Sequence, residues 1–193
     1  MKRNIFIALT ILFVVPGLIL AGCSGGDPEA KAKVDEALEL VSSSQSLLED
    51  LLSLDARIND LGTRFTDVED SIAEGKSLAE MALVDVDELE ARYAQAHDLF
   101  DEVANMEGAG DYAEYARLAL AAVDKELEAI SLNRLLLNNV WDMLDVLPLA
   151  ESQEQLSYYV EEIDRLTAEI NDLLQEGAEA AVVADRYFEE HGL

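Results

Sequence analysis

The sequence predicts an all-α protein, and more specifically an up-down four-helix bundle with long, coiled-coil-like helices. Three observations lead to this expectation. The chain of 193 residues is rich in Ala, Leu, Glu and Asp, with 6% aromatic residues, 10 glycines and 3 prolines, which favours helices over strands. Apolar residues recur at alternating steps of three and four, as they do on one face of a helix. Capping and turn residues interrupt that pattern at a few places.

The first helix is expected to begin directly after a short stretch of small residues. In SGGDPEAKAK, Asp27 suits the N-cap because its carboxylate can accept a hydrogen bond from a free backbone N–H. Pro28 suits the first helical position because it has no N–H to lose, and Glu29 adds a negative charge that the first turn favours.

The apolar pattern that follows predicts helices that pack at the shallow angles of coiled coils and bundles. Two of its positions, Ser44 and Gly75, do not carry an apolar side chain. The pattern consists of Ala37, Leu40, Ser44, Leu47, Leu51, Leu54, Ile58, Leu61, Phe65, Val68, Ile72, Gly75, Ala79, Ala82, Val86, Leu89, Tyr93, Ala96, Phe100 and Val103.

Whether this segment is one helix or two depends on the stretch INDLGTRFTDVED. Gly62 could end one helix, and Thr66 with Glu69 could form the capping box of the next. Additional leucines before this stretch widen the apolar face, as a helix buried by several neighbours requires. We therefore expect two helices. The alternative is a long antiparallel hairpin or a three-helix arrangement, in which residues 28 to 106 form one helix.

A clear turn is expected at NMEGAGDYAEYA. Gly108 and Gly110 supply turn residues, and Asp111 with Glu114 has the spacing of a capping box. A third helix therefore starts here. Apolar residues lie on nearly every side of its second half, so we expect it to be the most buried helix.

The third helix carries one unusual polar group, formed by Asn133, Arg134, Asn138 and Asn139. We interpret these residues as the solvated edge of the helix, with Arg134 meeting carboxylates of a neighbouring helix. The alternative interpretation is a polar patch for a ligand or partner.

The fourth helix follows Pro148, which stops or kinks the chain. The three-four spacing of apolar residues continues from Leu156 to Tyr187. His191 and Gly192 then suit a helix C-terminus, where a cation and a flexible residue are favourable.

The charge of the chain excludes one class of partner. There are 41 acidic and 13 basic residues, giving a net charge of −28. Because a nucleic-acid binder needs a basic face to neutralise phosphates, we expect no nucleic-acid partner.

The N-terminal stretch MKRNIFIALTILFVVPGLILAGC has the features of a secretion signal. Lys2 and Arg3 supply a positive start, and Ile5 to Ala21 form an uncharged run of 17 residues. A membrane-spanning helix usually needs about 20 apolar residues, and this run contains Pro16 and Gly17. A cleaved signal is therefore the preferred interpretation.

The four residues LAGC at positions 20–23 resemble the lipobox of prokaryotic lipoproteins. In that family the cysteine thiol receives a diacylglycerol, and a signal peptidase then cuts before the cysteine. The resemblance covers the first 23 residues and implies that Cys23 is the lipid attachment site. As the one cysteine of the chain, Cys23 can form no internal disulfide. Two acyl chains hold a protein stably on a membrane, so this anchor would suffice.

The resulting domain organisation has three parts. Residues 1–22 form a lipoprotein signal peptide, residues 23–27 the lipidated cysteine and a short flexible tether, and residues 28–191 the helical bundle domain. Removal of the signal leaves 11 basic and 41 acidic residues, a net charge of −30, which anionic lipid headgroups would repel.

No catalytic, metal-binding or cofactor-binding residues are expected. A di-iron bundle needs Glu-x-x-His motifs, but Ala94 and Phe188 stand three residues before His97 and His191. Two histidines and one cysteine do not supply the ligands of a zinc or haem site. His97 is expected to be a partly exposed helix residue. The acidic stretch 85–90, DVDELE, lacks the pattern of a calcium-binding loop.

Two functional hypotheses follow. The first is a non-catalytic, membrane-anchored lipoprotein of the cell envelope that faces outside the cytoplasm. Its acidic bundle would act in envelope structure, or through a protein partner or self-association. The alternative is an extracytoplasmic helical module that binds a small ligand or cation between its helices. An enzyme is not expected, because catalytic residues usually stand on loops and this chain has few.

Overall fold

The computed structural model describes residues 27–61, 68–149 and 153–193. These residues form an all-α helical bundle, which confirms the predicted fold class. The helices are α1 (Pro28–Ser43), α2 (Gln45–Leu61), α3 (Val68–Ala104), α4 (Asp111–Val146) and α5 (Gln153–His191), with a short 3-10 helix at Leu147–Leu149.

The described residues form two compact units. Unit 1 contains residues 46–61, 68–88, 129–149 and 153–171, and unit 2 contains residues 27–45, 89–128 and 172–193. Helices α3, α4 and α5 each contribute one portion to each unit.

Ion pairs between helices give the chain directions in unit 1. Residue numbers rise along one helix as they fall along the other, so α3 runs antiparallel to both α2 and α4. Between α2 and α3, Arg57 pairs with Glu74 at 3.7 Å, and the carboxylate of Asp50 lies near that of Asp85. Between α3 and α4, Lys76 pairs with Asp145, and Arg134 pairs with Asp87 at 2.5 Å.

Unit 2 has the same antiparallel order. Polar contacts join α1 to α3, α3 to α4, and α4 to α5 in turn. They are Lys33–Glu102 (2.6 Å), Arg92 with the Ser43 carbonyl (2.8 Å), His97–Asp124 (3.3 Å), Arg117 with the Ala104 carbonyl (2.7 Å), Lys125–Glu176 (2.7 Å) and His191–Asp111 (3.4 Å).

The alternative of one helix over residues 28 to 106 is wrong. Helix α3 lies antiparallel to α2 in unit 1 and to α1 in unit 2, so the chain reverses its direction between α2 and α3. The predicted turn at Gly62 and the cap at Thr66 lie outside the described residues.

The boundary between α1 and α2 lies at Ser44, where no turn was expected. The hydroxyls of Ser43 and Ser44 both donate to the Leu40 carbonyl, at 3.0 and 2.8 Å, and the Ser44 N–H donates to Val41. Serine hydroxyls compete with the helical backbone in this way. Ser44, the polar position of the apolar pattern in this region, therefore coincides with the boundary between the two helices.

The apolar pattern correctly identified the buried face of α3 in both units. In unit 1, Ile72, Ala79, Ala82 and Val86 of α3 are buried, and in unit 2 Leu89, Tyr93, Ala96, Phe100 and Val103 are buried. An aromatic cluster extends the core of unit 2, where the Tyr115 ring lies 6.1 Å from Phe100 and 5.0 Å from Phe188 between ring centroids. Burying this apolar surface is the main stabilising contribution to such a bundle.

The predicted turn and end residues adopt the expected conformations. Gly108 and Gly110 have φ angles of +85° and +60°, which side-chain-bearing residues rarely adopt. Pro148 lies in the 3-10 helix that ends α4. Gly192 has φ +64°, and the N–H groups of Gly192 and Leu193 donate to Glu189 and Phe188. These two bonds form the Schellman motif at the end of α5.

The second half of α4 is less enclosed than expected. Leu135 is 50% exposed and lies opposite the buried residues Leu137 and Val140 on the helix. The helix therefore keeps one solvent-facing side. Among the helices that the structure describes, none is both long enough and apolar enough to cross a bilayer.

Candidate functional site

The predicted lipid attachment residue, Cys23, lies outside the described residues, which begin at Asp27. Its role therefore stays a prediction. The structure does describe the start of α1 at Pro28, five residues after Cys23.

The start of α1 has the predicted cap. The Asp27 carboxylate accepts a hydrogen bond from the Glu29 N–H at 2.9 Å, and the Asp27 carbonyl accepts from Lys31 at 3.1 Å. Pro28 occupies the first helical position. An extended chain spans at most about 3.6 Å per residue, so the five steps from Cys23 to Pro28 cover about 18 Å at most.

The N-terminus of α1 shares one end of unit 2 with other chain segments. Lys33 pairs with Glu102 near the end of α3, and Arg117 of α4 donates to the Ala104 carbonyl of α3. Asp111, the first residue of α4, pairs with His191 at the end of α5. This end of unit 2, which we call the α1 end, therefore combines the start of α1, the α3–α4 turn and the C-terminus of α5.

The α1 end is acidic. Its exposed carboxylates are Glu29, Asp101, Glu102, Glu107, Asp111, Glu114, Glu189 and Glu190, and its cations include Lys31, Lys33, Arg117 and Arg186. Several of these cations are already paired, Lys31 with Asp35 and Arg117 with Glu114. An anionic surface brought near this end would therefore meet mostly negative charge.

Asp111 and Glu114 do not act as the expected capping box. One Asp111 oxygen lies 3.4 Å from the Tyr187 hydroxyl and the other lies 3.4 Å from His191, whose ring stacks on Tyr187. Glu114 pairs with Arg117. Asp111 therefore joins α4 to α5, and Glu114 pairs with a cation one turn later on α4.

The predicted solvated edge of α4 is correct for Asn138, which is exposed, but wrong for Asn133, which is only 9% exposed. Local bonds and one ion pair engage the other polar groups of this set and Asn133. Asn133 and Asn139 donate to the carbonyls four residues earlier, at Ala129 and Leu135. Arg134 donates to Asp87 of α3 at 2.5 Å, as expected for a cation that meets a carboxylate of a neighbouring helix.

His97 and the acidic stretch 85–90 lie in different surroundings, and both have partners among the described residues. His97 is partly exposed, as predicted, and lies between Asp98 at 3.7 Å and Asp124 at 3.3 Å. In the acidic stretch 85–90, Asp87 is engaged by Arg134, and burial together with nearby Asp50 raises the pKa of Asp85. Among the described residues no three His, Cys, Asp or Glu side chains are grouped as metal ligands.

A buried carboxyl group was missed by the sequence reasoning. Glu126 of α4 is only 9% exposed and lies in unit 2 beside Tyr93 of α3, which is 0% exposed. Burial raises the pKa of Glu126 to about 8, and the neighbouring Tyr93 hydroxyl acts in the opposite direction. Its position four residues after the buried Ala122 was the available signal, because that spacing returns to the same helix face.

Helix α5 approaches the buried carboxyl group closely. A Cβ atom added to Gly177 would lie 3.5 Å from Cγ of Glu126, 3.4 Å from Cβ of Lys125 and 3.5 Å from the Ala122 carbonyl oxygen. The α5 backbone at Gly177 therefore lies next to the Glu126 side chain.

Comparison with known protein families gives no match, and no curated protein is significantly similar in sequence to this chain.

Proposed function

We propose that this protein is a lipoprotein of the cell envelope, anchored through a diacylglycerol on Cys23 and facing outside the cytoplasm. The observation that carries the proposal is the sequence LAGC at 20–23, which follows a basic start and an apolar run. The capped start of α1 at Pro28 supports it, because a stable helical domain begins five residues after the cysteine.

The short tether favours partners close to the membrane. If Cys23 is lipidated, the N-terminus of α1 is held within about 18 Å of the anchor. The α1 end would then be the part of unit 2 nearest to the lipid. Its excess of carboxylates disfavours adsorption on anionic headgroups, so the lipid would be the main attachment.

For the helical domain we propose a non-catalytic role in envelope structure or in protein–protein interaction, including self-association. Long amphipathic helices commonly act in this way, and the polar side chains of Lys125, Arg134 and His191 face carboxylates of neighbouring helices. This part of the proposal rests on fold-level analogy.

The anchor is tested by Cys23→Ser in the natural host, with Ser24→Ala as the matched control because it changes the next residue and keeps the cysteine. We expect the wild type and Ser24→Ala to sediment with membranes and to incorporate a labelled fatty acid. Cys23→Ser should not incorporate the fatty acid, and it should retain residues 1–22, because in that family the peptidase cuts after lipid attachment. Equal membrane association and labelling of all three proteins would overturn the anchor.

The interaction role is tested by photo-crosslinking from the native envelope. A photoreactive amino acid is placed at Val84 in unit 1 or Val182 in unit 2, both exposed on the helix surface. We expect a discrete adduct, either with a second copy of the chain or with one envelope protein, that disappears with Cys23→Ser. Adducts with lipid alone at both positions would argue against a protein partner at these surfaces.

A further inference from the structure

Glu126 stands apart from the other carboxylates of this acidic protein. Of the acidic side chains whose burial the structure describes, it is the one that is enclosed in a core. Tyr93 of α3 lies against it from one side, and the α5 backbone at Gly177 lies against it from another. Burying an ionised carboxylate in such surroundings is costly unless it is paired with a cation.

The basic side chains near Glu126 face other partners. Lys125 precedes it on α4 and pairs with Glu176 of α5 at 2.7 Å. His97 of α3 faces Asp124 at 3.3 Å. The groups that α1 buries, Ala30, Val34 and Ala37, carry no charge.

The charged groups around Glu126 are therefore mostly negative or already neutralised. On α4 these groups are Asp124, Lys125 and Glu128. On α3 they are His97, which faces Asp124, and the titratable Tyr93, and on α5 the group is Glu176, which pairs with Lys125. The Tyr93 hydroxyl is a buried polar group beside the carboxyl. It can donate one hydrogen bond, which does not replace the water that an ionised carboxylate loses on burial.

We propose that Glu126 is a proton-controlled lock of unit 2. With its proton, the carboxyl group packs between Tyr93 and Gly177 and holds α3, α4 and α5 together. Loss of that proton to water leaves a carboxylate that must regain hydration, and the three helices separate locally to admit water. The lock concerns unit 2 alone and does not depend on the lipid anchor.

The sign of the pH dependence follows from the two states. An unfolded glutamate ionises near 4.5, whereas burial raises the pKa of Glu126 to about 8. Between these values folded unit 2 keeps a proton that the unfolded chain has lost. The folding equilibrium constant therefore falls with rising pH by up to about tenfold per pH unit over this window, and Glu126 adds no further dependence above it.

The first test follows the proton directly. Infrared difference spectra of the full chain in detergent, recorded between pH 5 and pH 9, should show a neutral carboxylic acid band that persists above pH 6. Glu126→Gln should lack this band, and Glu128→Gln, which changes an exposed neighbour on the same helix, should retain it. Absence of the band from the wild type above pH 6 would overturn the proposal.

The second test follows the separation of the helices. Amide hydrogen exchange, corrected for the intrinsic pH dependence, should accelerate at least tenfold between pH 6 and pH 9 in residues 89–97, 122–130 and 173–181 of the wild type. Glu126→Gln should suppress this acceleration and Glu128→Gln should not. Equal acceleration in all three proteins would show that another group controls it.

A third variant keeps the proposal testable if Glu126→Gln folds poorly. Tyr93→Phe removes the neighbouring hydroxyl, which acts to lower the pKa of Glu126. The neutral carboxyl band should therefore persist to higher pH in this variant than in the wild type. An unchanged or lower midpoint would contradict the contact on which the lock depends.

Discussion

At the residue scale, the side chains of this protein take their roles from partners on other helices. Asp111 has the sequence position of a helix cap, yet its oxygens face Tyr187 and His191 of α5. Arg134 was expected to meet a carboxylate, and it does so at Asp87. The type of interaction followed from the sequence, but the individual partner did not, because it depends on how the helices are aligned.

Gly108 offers a clean test of backbone conformation at this scale. Its φ angle is +85°, and an added Cβ would meet nothing within 4 Å. We expect Gly108→Ala to lower the free energy of unfolding by about 1 to 2 kcal/mol, since only the left-handed backbone is penalised. Urea denaturation with an unchanged m-value would measure this loss.

Glu107→Ala is the matched control for Gly108→Ala, because it alters an exposed residue of the same turn. Its effect should stay within about 0.5 kcal/mol. If both variants unfold at the same urea concentration as the wild type, the positive φ at Gly108 does not contribute to stability.

At the element scale, hydrophobic spacing predicted which face of α3 is buried. The α3 positions from Ile72 to Val103 illustrate this, since they follow one repeat and lie in the cores of the two units. The break at Ser44 was not predicted, because the spacing continues through it and the side-chain bonds to Leu40 depend on local geometry. The burial of Glu126 was not predicted either, because among 41 acidic residues nothing in the sequence singles out one carboxylate as buried.

The approach of α5 to α4 gives a prediction for a helical glycine. In Gly177→Ala the new Cβ would be 3.4 to 3.5 Å from Lys125, Ala122 and Glu126, which is van der Waals contact without overlap. Alanine is the better helix former by about 1 kcal/mol. We therefore expect Gly177→Ala to retain or raise the thermal midpoint.

Gly177→Leu is the comparison for this prediction. The longer side chain would force α5 away from α4 and should destabilise the protein by about 1 to 3 kcal/mol. A large loss of stability already in Gly177→Ala would mean that the helices lie closer at this point than the structure indicates.

At the scale of the whole molecule, the dominant feature is the excess of negative charge. The 41 acidic residues exceed the 13 basic ones so strongly that most carboxylates have no cation available. Exposed ion pairs such as Lys31–Asp35 contribute little, typically about 0 to 1 kcal/mol each. Helix packing must therefore hold the fold against a net repulsion among its surface groups.

This repulsion predicts a strong dependence of stability on salt. Raising the chloride concentration from about 0.01 M to 1 M shortens the screening length from about 30 Å to 3 Å. The urea midpoint at pH 7 should rise clearly over this range. The same series near pH 4, where roughly half of the carboxyl groups are protonated, is the control and should respond much less. A flat response at pH 7 would show that the charges are already well separated.

The central claim is that the helical domain is attached to a membrane through lipid on Cys23. Mass spectrometry of the N-terminal peptide of protein purified from the membrane fraction tests it most directly. If Cys23 is lipidated, this peptide should begin at Cys23 and carry the mass of a diacylglycerol on the thiol. A peptide that retains residues 1–22, or that begins after cleavage with an unmodified Cys23 thiol, would contradict it.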